Sequence, residues 1–527
     1  MSANNVRLNS NDTSTWNCSS LESSKRTDVS IVAQKLSQRS TLTRKNCCDI
    51  CGIASLLLFG FMFLTFGIIT IKYTLFEIVL MERMGMAKIY PSYFWWKDPE
   101  PEVLMKVFIF NITNSEEFIS GKDSKLKLQE IGPITFQEVL KHKDIIFHYE
   151  NSTLSYTVTR SIVFKETENI KGILNQSVTV ANMAALSGSS FVADNWLLST
   201  SYKALQKLYG TRPIVNTTIY NYFFNLTDPI LEFTKNIVPF LVPTKDTGIL
   251  QNIYSNFTDR VNVQIGLKHG NENFFKINTW NHRRNVPGFY PENGDCNARI
   301  DGSTEAALWP QLCTKETIIW YWRKTLCRSV PLYFEEEIQM GSLNAFKYIL
   351  RDDVYDRLEN KTADCFRGSN LPDGLSDVSK CFFDQPIVAS FPHFYSRPGK
   401  FLDKLDGLHP DPNKHRSFSI IEPILGVPLK QKASSQSNLV TKDLRGFKHD
   451  IAKFGDMVIP MFWIEYYLKE ITPLIISTVD FIVNTLPKIQ YWISAAFIIL
   501  GSYLLLMGYL RLRNNEVDEG MKMKNEK

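Results

Sequence analysis

Hydrophobic positions along this chain follow three different patterns. Two runs have no charge at all: Cys51–Ile71, 21 residues, and Trp492–Leu510, 19 residues. About twenty helical residues cross a hydrocarbon core, so both runs predict transmembrane helices. Between them the apolar positions alternate over short stretches. In Glu102–Thr113 the residues Val103, Met105, Val107 and Ile109 share one face, and Ser152–Phe164 is rich in β-branched and aromatic residues. Both stretches read as strands, as does "RSFSIIEPILGVPL", Arg416–Leu429. A third pattern lies in Asn182–Tyr209, where Trp196, Leu197, Tyr202, Leu205 and Leu208 come near a spacing of ~3.6 and predict a helix. Pro213–Phe233 is expected to be a second one. Thr472–Pro487 is apolar but short, is bounded by Pro473 and Pro487 and contains Asp480, so it reads as a core or juxtamembrane helix rather than a third span.

These patterns divide the chain into a tail, 1–48, a span, 49–71, an ectodomain, 72–491, a second span, 492–510, and a tail, 511–527. The first tail is polar, lacks apolar periodicity and is expected to be disordered. The ectodomain shows no linker and is read as one mainly β body carrying a helical cluster. Basic residues orient the spans. Arg511, Arg513, Lys522, Lys524 and Lys527 follow the second span, against Lys488 alone in the twenty residues before it. That end is expected to be cytoplasmic, and with two spans so is the other. Seven Asn-x-Ser/Thr sequons, at Asn111, Asn151, Asn175, Asn216, Asn225, Asn256 and Asn360, fall in the ectodomain and are candidate glycan sites. Cys296, Cys313, Cys327, Cys365 and Cys381 lie within the ectodomain, where an oxidising compartment would pair most of them and leave one over. Cys47, Cys48 and Cys51 sit where the first span meets the cytoplasm, a position that suits palmitoylation.

Composition narrows the function classes. The net charge of +5 over 527 residues is mild, and no basic run interleaves with aromatics, so no nucleic-acid partner is expected. There is no Gly-rich phosphate loop, nucleophile elbow or His-Glu-x-x-His. The three carboxylates of "YFEEEI", Tyr333–Ile338, are adjacent and do not converge on one point, so they read as a solvated face. Neither catalysis nor a cofactor is expected. An aromatic fraction of 13% offers material to line an apolar cavity.

The segment Phe391–Leu429, "FPHFYSRPGKFLDKLDGLHPDPNKHRSFSIIEPILGVPL", carries a dense signature: Pro392–Phe394, Gly407–Pro410, His415-Arg416 and Glu422–Gly426. It resembles the class B scavenger receptor family, which includes the lysosomal integral membrane protein and the insect sensory neuron membrane proteins. "IGPITFQE", Ile131–Glu138, and "GDCNARIDGSTEAALWP", Gly294–Pro310, resemble further blocks of that family. The resemblance covers nearly all of 72–510. It implies an α+β membrane protein: a large antiparallel β-barrel-like ectodomain with a helical apex and an internal lipid tunnel, anchored by two transmembrane helices. It implies disulfides Cys296–Cys365 and Cys327–Cys381, with Cys313 unpaired or intermolecular. The chain lacks one further cysteine pair of the family, having Arg367 where the family has Cys-x-Cys. The histidines His393, His409 and His415 are read as satisfying buried backbone groups.

The resemblance also places ligand-binding lysines in the segment holding Lys203, Lys207 and Arg212. These are expected to lie exposed at the turn between two apex helices, Lys203 and Lys207 on one helix face. The expected function is a cell-surface scavenger-type receptor that binds and transfers lipids, lipoproteins or anionic lipid particles through that apex and an apolar tunnel. Fatty acids, phospholipids, sterols or lipoprotein particles are the expected partners, beside the membrane itself and further copies of the chain. The C-terminal tail lacks an acidic-dileucine signal, which favours the plasma membrane over lysosomes. One alternative is a sensory lipid (pheromone) co-receptor of the same family. Another is a two-span ion-channel subunit. A pore asks for a polar span face, yet only Thr65, Thr70 and Ser502 approach one; Gly60/Gly67 and Gly501/Gly508 suit helix packing instead.

Overall fold

The structure, a computed structural model, describes residues 50–525 apart from 87, 100–101, 238–246, 255–257, 289–295, 297, 306, 361–363, 369–370 and 470. The tail 1–48, with Cys47 and Cys48, and the sequon at Asn256 lie outside the described residues. The chain forms two units. One holds residues up to Thr74 and from Lys488 on; the other is Leu75–Pro487.

In the smaller unit, helix Ile50–Lys72 packs on residues of helix Leu486–Asn525. Glycines let the backbones approach: a Cβ on Gly501 would lie 2.5 Å from the Leu64 nitrogen, and one on Gly60 2.9 Å from the Leu505 nitrogen. Thr70 Oγ1 and Ser494 Oγ share a hydrogen bond of 2.9 Å, and Phe63 and Phe66 both meet Phe497. Both helices are long and apolar enough to cross a membrane. The second runs on past residue 510 as a polar helix to Asn525.

The larger unit is mainly strand. In chain order these are β1 Val103–Ile112, β2 Leu126–His148, β3 Thr153–Phe164, β4 Ser177–Ala181, β5 Ile214–Thr218, β6 Thr258–Gln264, β7 Ile277–Trp280 and β8 Ile319–Arg323. There follow β9 Arg328–Met340, β10 Leu343–Leu350, β11 Ser376–Asp377, β12 Ile387–Ser390, β13 Leu405–Asp406, β14 Phe418–Glu422, β15 Val427–Val440 and β16 Val458–Leu468. Fourteen of them form one sheet in the order β7-β6-β3-β2-β1-β16-β15-β14-β10-β9-β8, with β12 and β11 branching from β15 and β13 beside β2. All these pairings are antiparallel except the short β13–β2 contact. Residues 302–304 hydrogen-bond to both outer strands. Gly302 N–H donates to Ile277 O at 2.8 Å and Ile277 N–H to Ser303 O at 2.7 Å; Thr304 N–H donates to Trp320 O at 2.7 Å and Trp322 N–H to Thr304 O at 2.9 Å.

Alternation gives way in the middle of the sheet. From Val107 to Phe110 every residue of β1 is buried, because Phe108, on the face opposite Val107 and Ile109, stacks on Trp463 of β16 at 3.8 Å between ring centroids. The strand predicted in Arg416–Leu429 is two strands. Pro423 and Gly426 turn β14 into β15; the Glu422 carboxylate accepts the N–H groups of Ile424 and Leu425. Gly426 has φ +64°, and a Cβ there would meet the carbonyl oxygens of Trp309 and Pro310 at 2.3 Å. Only glycine fits.

The helical region also differs in detail from its expected form. Asn182 and Asn195 cap separate helices Met183–Val192 and Trp196–Tyr209. Pro213–Phe233 is not one helix. Its β-branched start forms β5, paired with β4; Thr218 then caps helix Ile219–Phe224, and Asp228 Oδ1 accepts the Ile230 N–H at the start of helix Pro229–Ile237. Thr472–Pro487 is helical, with Ile475 and Val479 buried against Leu80, Leu425 and Leu429.

Candidate functional site: an internal apolar cavity with a charged wall

The larger unit forms a cavity of about 280 Å³ that is partly open to its surroundings. Trp95 and Trp96 come to it from helix Pro91–Lys97, Leu425 from the β14–β15 turn, Leu468 from β16, and Ile475 and Val479 from helix Pro473–Asp480. Most of the wall is apolar, as ligand pockets are.

One part is not. Glu138 of β2, Arg160 of β3 and Arg323 at the end of β8 all line it, and both arginines bond to Glu138. Arg323 Nη2 donates to Glu138 Oε1 at 2.8 Å and Arg160 Nη1 to Glu138 Oε2 at 3.2 Å. The Tyr254 hydroxyl donates to Glu138 Oε1 at 2.9 Å and lies 3.0 Å from the Tyr466 hydroxyl. The Arg323 guanidinium stands 4.0 Å above the Tyr466 ring. Burial pushes the Glu138 carboxyl up, but the Arg323 and Arg160 charges outweigh it and hold it below the usual range. Glu305 lies behind, 4.0 Å from Arg160, and there burial wins and pushes the carboxyl up. The β2–β3 register pairs Arg160 with Leu140, two residues from Glu138, which brings the charges together. Sequence reasoning passed over these residues. Their signal is a lone arginine inside an aromatic or β-branched run, Arg160 in "TVTRSIVF" and Arg323 in "IIWYWR".

Two of the three histidines bond through their rings to backbone or neighbouring side chains; His409, expected to do the same, is exposed and takes part through its own N–H. His393 Nδ1 accepts the His409 N–H at 3.0 Å and His415 Nδ1 the Asp411 N–H at 3.2 Å, which fixes the 409–411 turn. His393 Nε2 donates to Glu130 Oε2 at 2.7 Å, and the same carboxylate takes Trp463 Nε1 at 2.8 Å and Lys414 Nζ at 2.9 Å. Each carboxylate of "YFEEEI" has a basic partner: Glu335 and Glu336 share Lys347, and Glu337 pairs with Lys315.

The apex candidates separate. Lys207 and Arg212 are exposed, on and just after helix Trp196–Tyr209. Lys203 is only half-buried rather than exposed, because its ammonium lies over the Phe447 ring, 4.8 Å from its centroid. The structure contains the disulfides Cys296–Cys365 and Cys327–Cys381, with Cα separations of 5.7 and 5.8 Å. Cys313 is a buried thiol that donates to the Pro310 carbonyl, and burial pushes it up to about 12. Cys51 is exposed at the start of the first span. Asn151, Asn175, Asn216, Asn225 and Asn360 are exposed; Asn111 is half-buried in β1, its Oδ1 accepting the Thr179 N–H.

The pattern that defines the CD36 family matches residues 54–512. Protein peste of Drosophila melanogaster is 27% identical over 73% of this chain and 69% of its own. Scavenger receptor class B member 1 of Bos taurus is 25% identical over 88% of this chain and 90% of its own. Lysosome membrane protein 2 of Homo sapiens is 25% identical over 80% and 88%.

Proposed function

Because the chain belongs to the CD36 family, as the match over residues 54–512 shows, we propose that it is a membrane receptor that binds lipids or lipid particles and takes single lipids into its ectodomain. The observation that carries this reading is the cavity of about 280 Å³, walled by tryptophan, leucine, isoleucine and valine. Each methylene moved from water into such a wall is worth ~0.8 kcal/mol. The bonds from residues 302–304 to both outer strands support a barrel-like body around the cavity. Lys207 and Arg212 offer exposed charge for capture of anionic particles. In this reading both termini are cytoplasmic, the larger unit carries glycans outside the cell, and the receptor works at the cell surface.

The test is a substitution that fills the cavity. Ala433 lies on β15 in its wall. In the full chain in nanodiscs, Ala433→Phe should lower the amount of bound lipid found by extraction and mass spectrometry. Equal lipid content in wild type and variant, at equal folded yield, overturns the reading.

A further inference from the structure

We propose that His142 is an acid-sensitive latch on the cavity wall: on taking up a proton, its ring displaces the helix Pro91–Lys97 that covers it, and the cavity gives up its lipid in an acidic compartment. The inference rests on the reading of the cavity as a lipid site. It adds how that site is emptied and which residue responds.

Glu138, Leu140 and His142 alternate along one face of β2, and the first two line the cavity. The third is covered. His142 is 3% exposed, and Trp96, a lining residue, is 2% exposed. Their rings stack at 4.4 Å between centroids with 11° between planes. Tyr156 of β3 meets His142 and Trp96 edge-on at 5.0 and 4.9 Å, and Phe275 meets Trp96 at 5.5 Å. His142 Nδ1 lies 2.7 Å from the Trp96 carbonyl oxygen. Among the described residues this is the only side-chain hydrogen bond between the helix and β2. A carbonyl only accepts, so the neutral ring carries its proton on Nδ1 and its lone pair on Nε2. That Nε2 is buried without a partner among the described residues.

A second proton has no acceptor here. It would sit on Nε2 as a buried N–H with nothing to bond to. The groups around the ring bring no anion to it. From β3 come the Arg160 cation and the neutral Tyr156 hydroxyl; from the helix come the Trp96 and Lys97 backbone. Glu138 and Glu305 are turned to Arg160, at 3.2 and 4.0 Å, and Lys141 and Lys143 of the same strand are exposed. Stacking on the indole would return part of the cost. Burial nevertheless pushes the His142 pKa down to about 3, and the Arg160 charge adds to this against the pull of the Trp96 carbonyl. His415 is pushed down as well, to about 4, but it lies outside the cavity wall and bears on stability rather than on lipid. Once the helix is displaced, water reaches the His142 ring and restores its ordinary pKa of ~6.5. The closed form is therefore fully favoured above pH ~6.5, and the preference is lost as pH falls from there toward about 3. At pH 5 the open form gains roughly thirtyfold, and at pH 7.4 almost nothing.

The test follows release of radiolabelled methyl oleate, which has no titrating head, from the full chain in phosphatidylcholine nanodiscs during a chase with unlabelled ester, with empty discs subtracted. Wild type should release it roughly thirtyfold faster at pH 5 than at pH 7.4. His142→Gln, which can still donate to the Trp96 carbonyl, and His142→Phe, which keeps the ring stack, remove the titrating group in two ways. Each should release at pH 5 within about twofold of its own rate at pH 7.4. Equal wild-type rates at the two pH values overturn the latch and leave the cavity reading standing. So does acid release in either variant as large as in wild type, or wild-type release at pH 5 that comes only with loss of the folded melting transition in tryptophan fluorescence. No binding of the ester by wild type at pH 7.4 overturns both the latch and the cavity reading.

Discussion

Glu130→Gln tests what the histidine-rich segment is for. The Glu130 carboxylate lies on β2 and accepts from three places: His393 in the turn Pro392–Phe394, Lys414 in helix Pro412–His415, and Trp463 on β16. Burial pushes its pKa up, but the bonds from His393, Lys414 and Trp463 outweigh burial and hold it at about 2. A glutamine oxygen would take one or two of these donors and leave the rest unpaired. At ~1–3 kcal/mol for each buried donor left unsatisfied, the loss at neutral pH is about 2–4 kcal/mol. Unfolding entropy of ~2.1 cal/mol/K per residue, summed over residues 75–487, makes each kcal/mol worth roughly 1 °C. The variant should therefore melt about 2–4 °C below wild type at pH 7, read by tryptophan fluorescence of the detergent-solubilised full chain. A depressed folded pKa adds stability that is complete above the unfolded value and lost as pH falls through the folded one. The window here is ~4.5 down to ~2. Linkage over that shift is ~3 kcal/mol, cut by partial solvent exposure to about 1–2 kcal/mol. As pH falls from 5 to 3, wild type should lose this much relative to the variant, and the gap in Tm should narrow by roughly 1–2 °C. Equal melting at pH 7, or parallel loss in both proteins between pH 5 and 3, refutes the reasoning.

Four further outcomes are expected. Reversing the exposed pair, Lys207→Glu with Arg212→Glu, should weaken capture of phosphatidylserine vesicles at ~0.1 M salt and matter little at ~1 M, where the screening length falls from ~10 to ~3 Å; unchanged binding at low salt removes the apex from the mechanism. Cys313 should resist iodoacetamide at pH 8 until the chain unfolds, since its thiol is buried and pushed up to about 12; rapid labelling, or a dimer linked through Cys313, contradicts this. Gly426→Ala should prevent surface expression, because its Cβ would meet two carbonyl oxygens at 2.3 Å in a positive-φ turn; wild-type surface levels would show that the loop moves freely. Peptide mapping should find glycans on exposed Asn151, Asn175, Asn216, Asn225 and Asn360 and little on half-buried Asn111; full occupancy at Asn111 would mean that β1 is more open than described.

Local chemistry was legible in the sequence. Two uncharged runs announce membrane helices because one residue after another must meet the same apolar solvent. Gly60, Gly67, Gly501 and Gly508 mark close helix packing for a similarly local reason, the lack of a Cβ. Pro423 and Gly426 announce a break, and the break is there. The helical region was legible as helical, but its division was not: a cap such as Asn195 or Thr218 is one residue long, and the pairing of β5 with β4 joins segments more than thirty residues apart. Period-2 reading found the face of β1 that carries Val107 and Ile109 but not the burial of the other face, where Phe108 stacks on Trp463 beneath Lys414 and Phe110 meets His393.

The charged wall of the cavity lies beyond any such reading. Glu138, Arg160 and Arg323 are ordinary residues in three strands, and Arg323 is 185 positions from Glu138. They meet because antiparallel register sets β2 against β3, and because the fold carries the end of β8 to the same point. Sequence determines which residues can be charged and which segments must leave water. Which charges share a dry wall is decided by tertiary structure, since the energy of a buried ion depends on partners that only the folded sheet supplies.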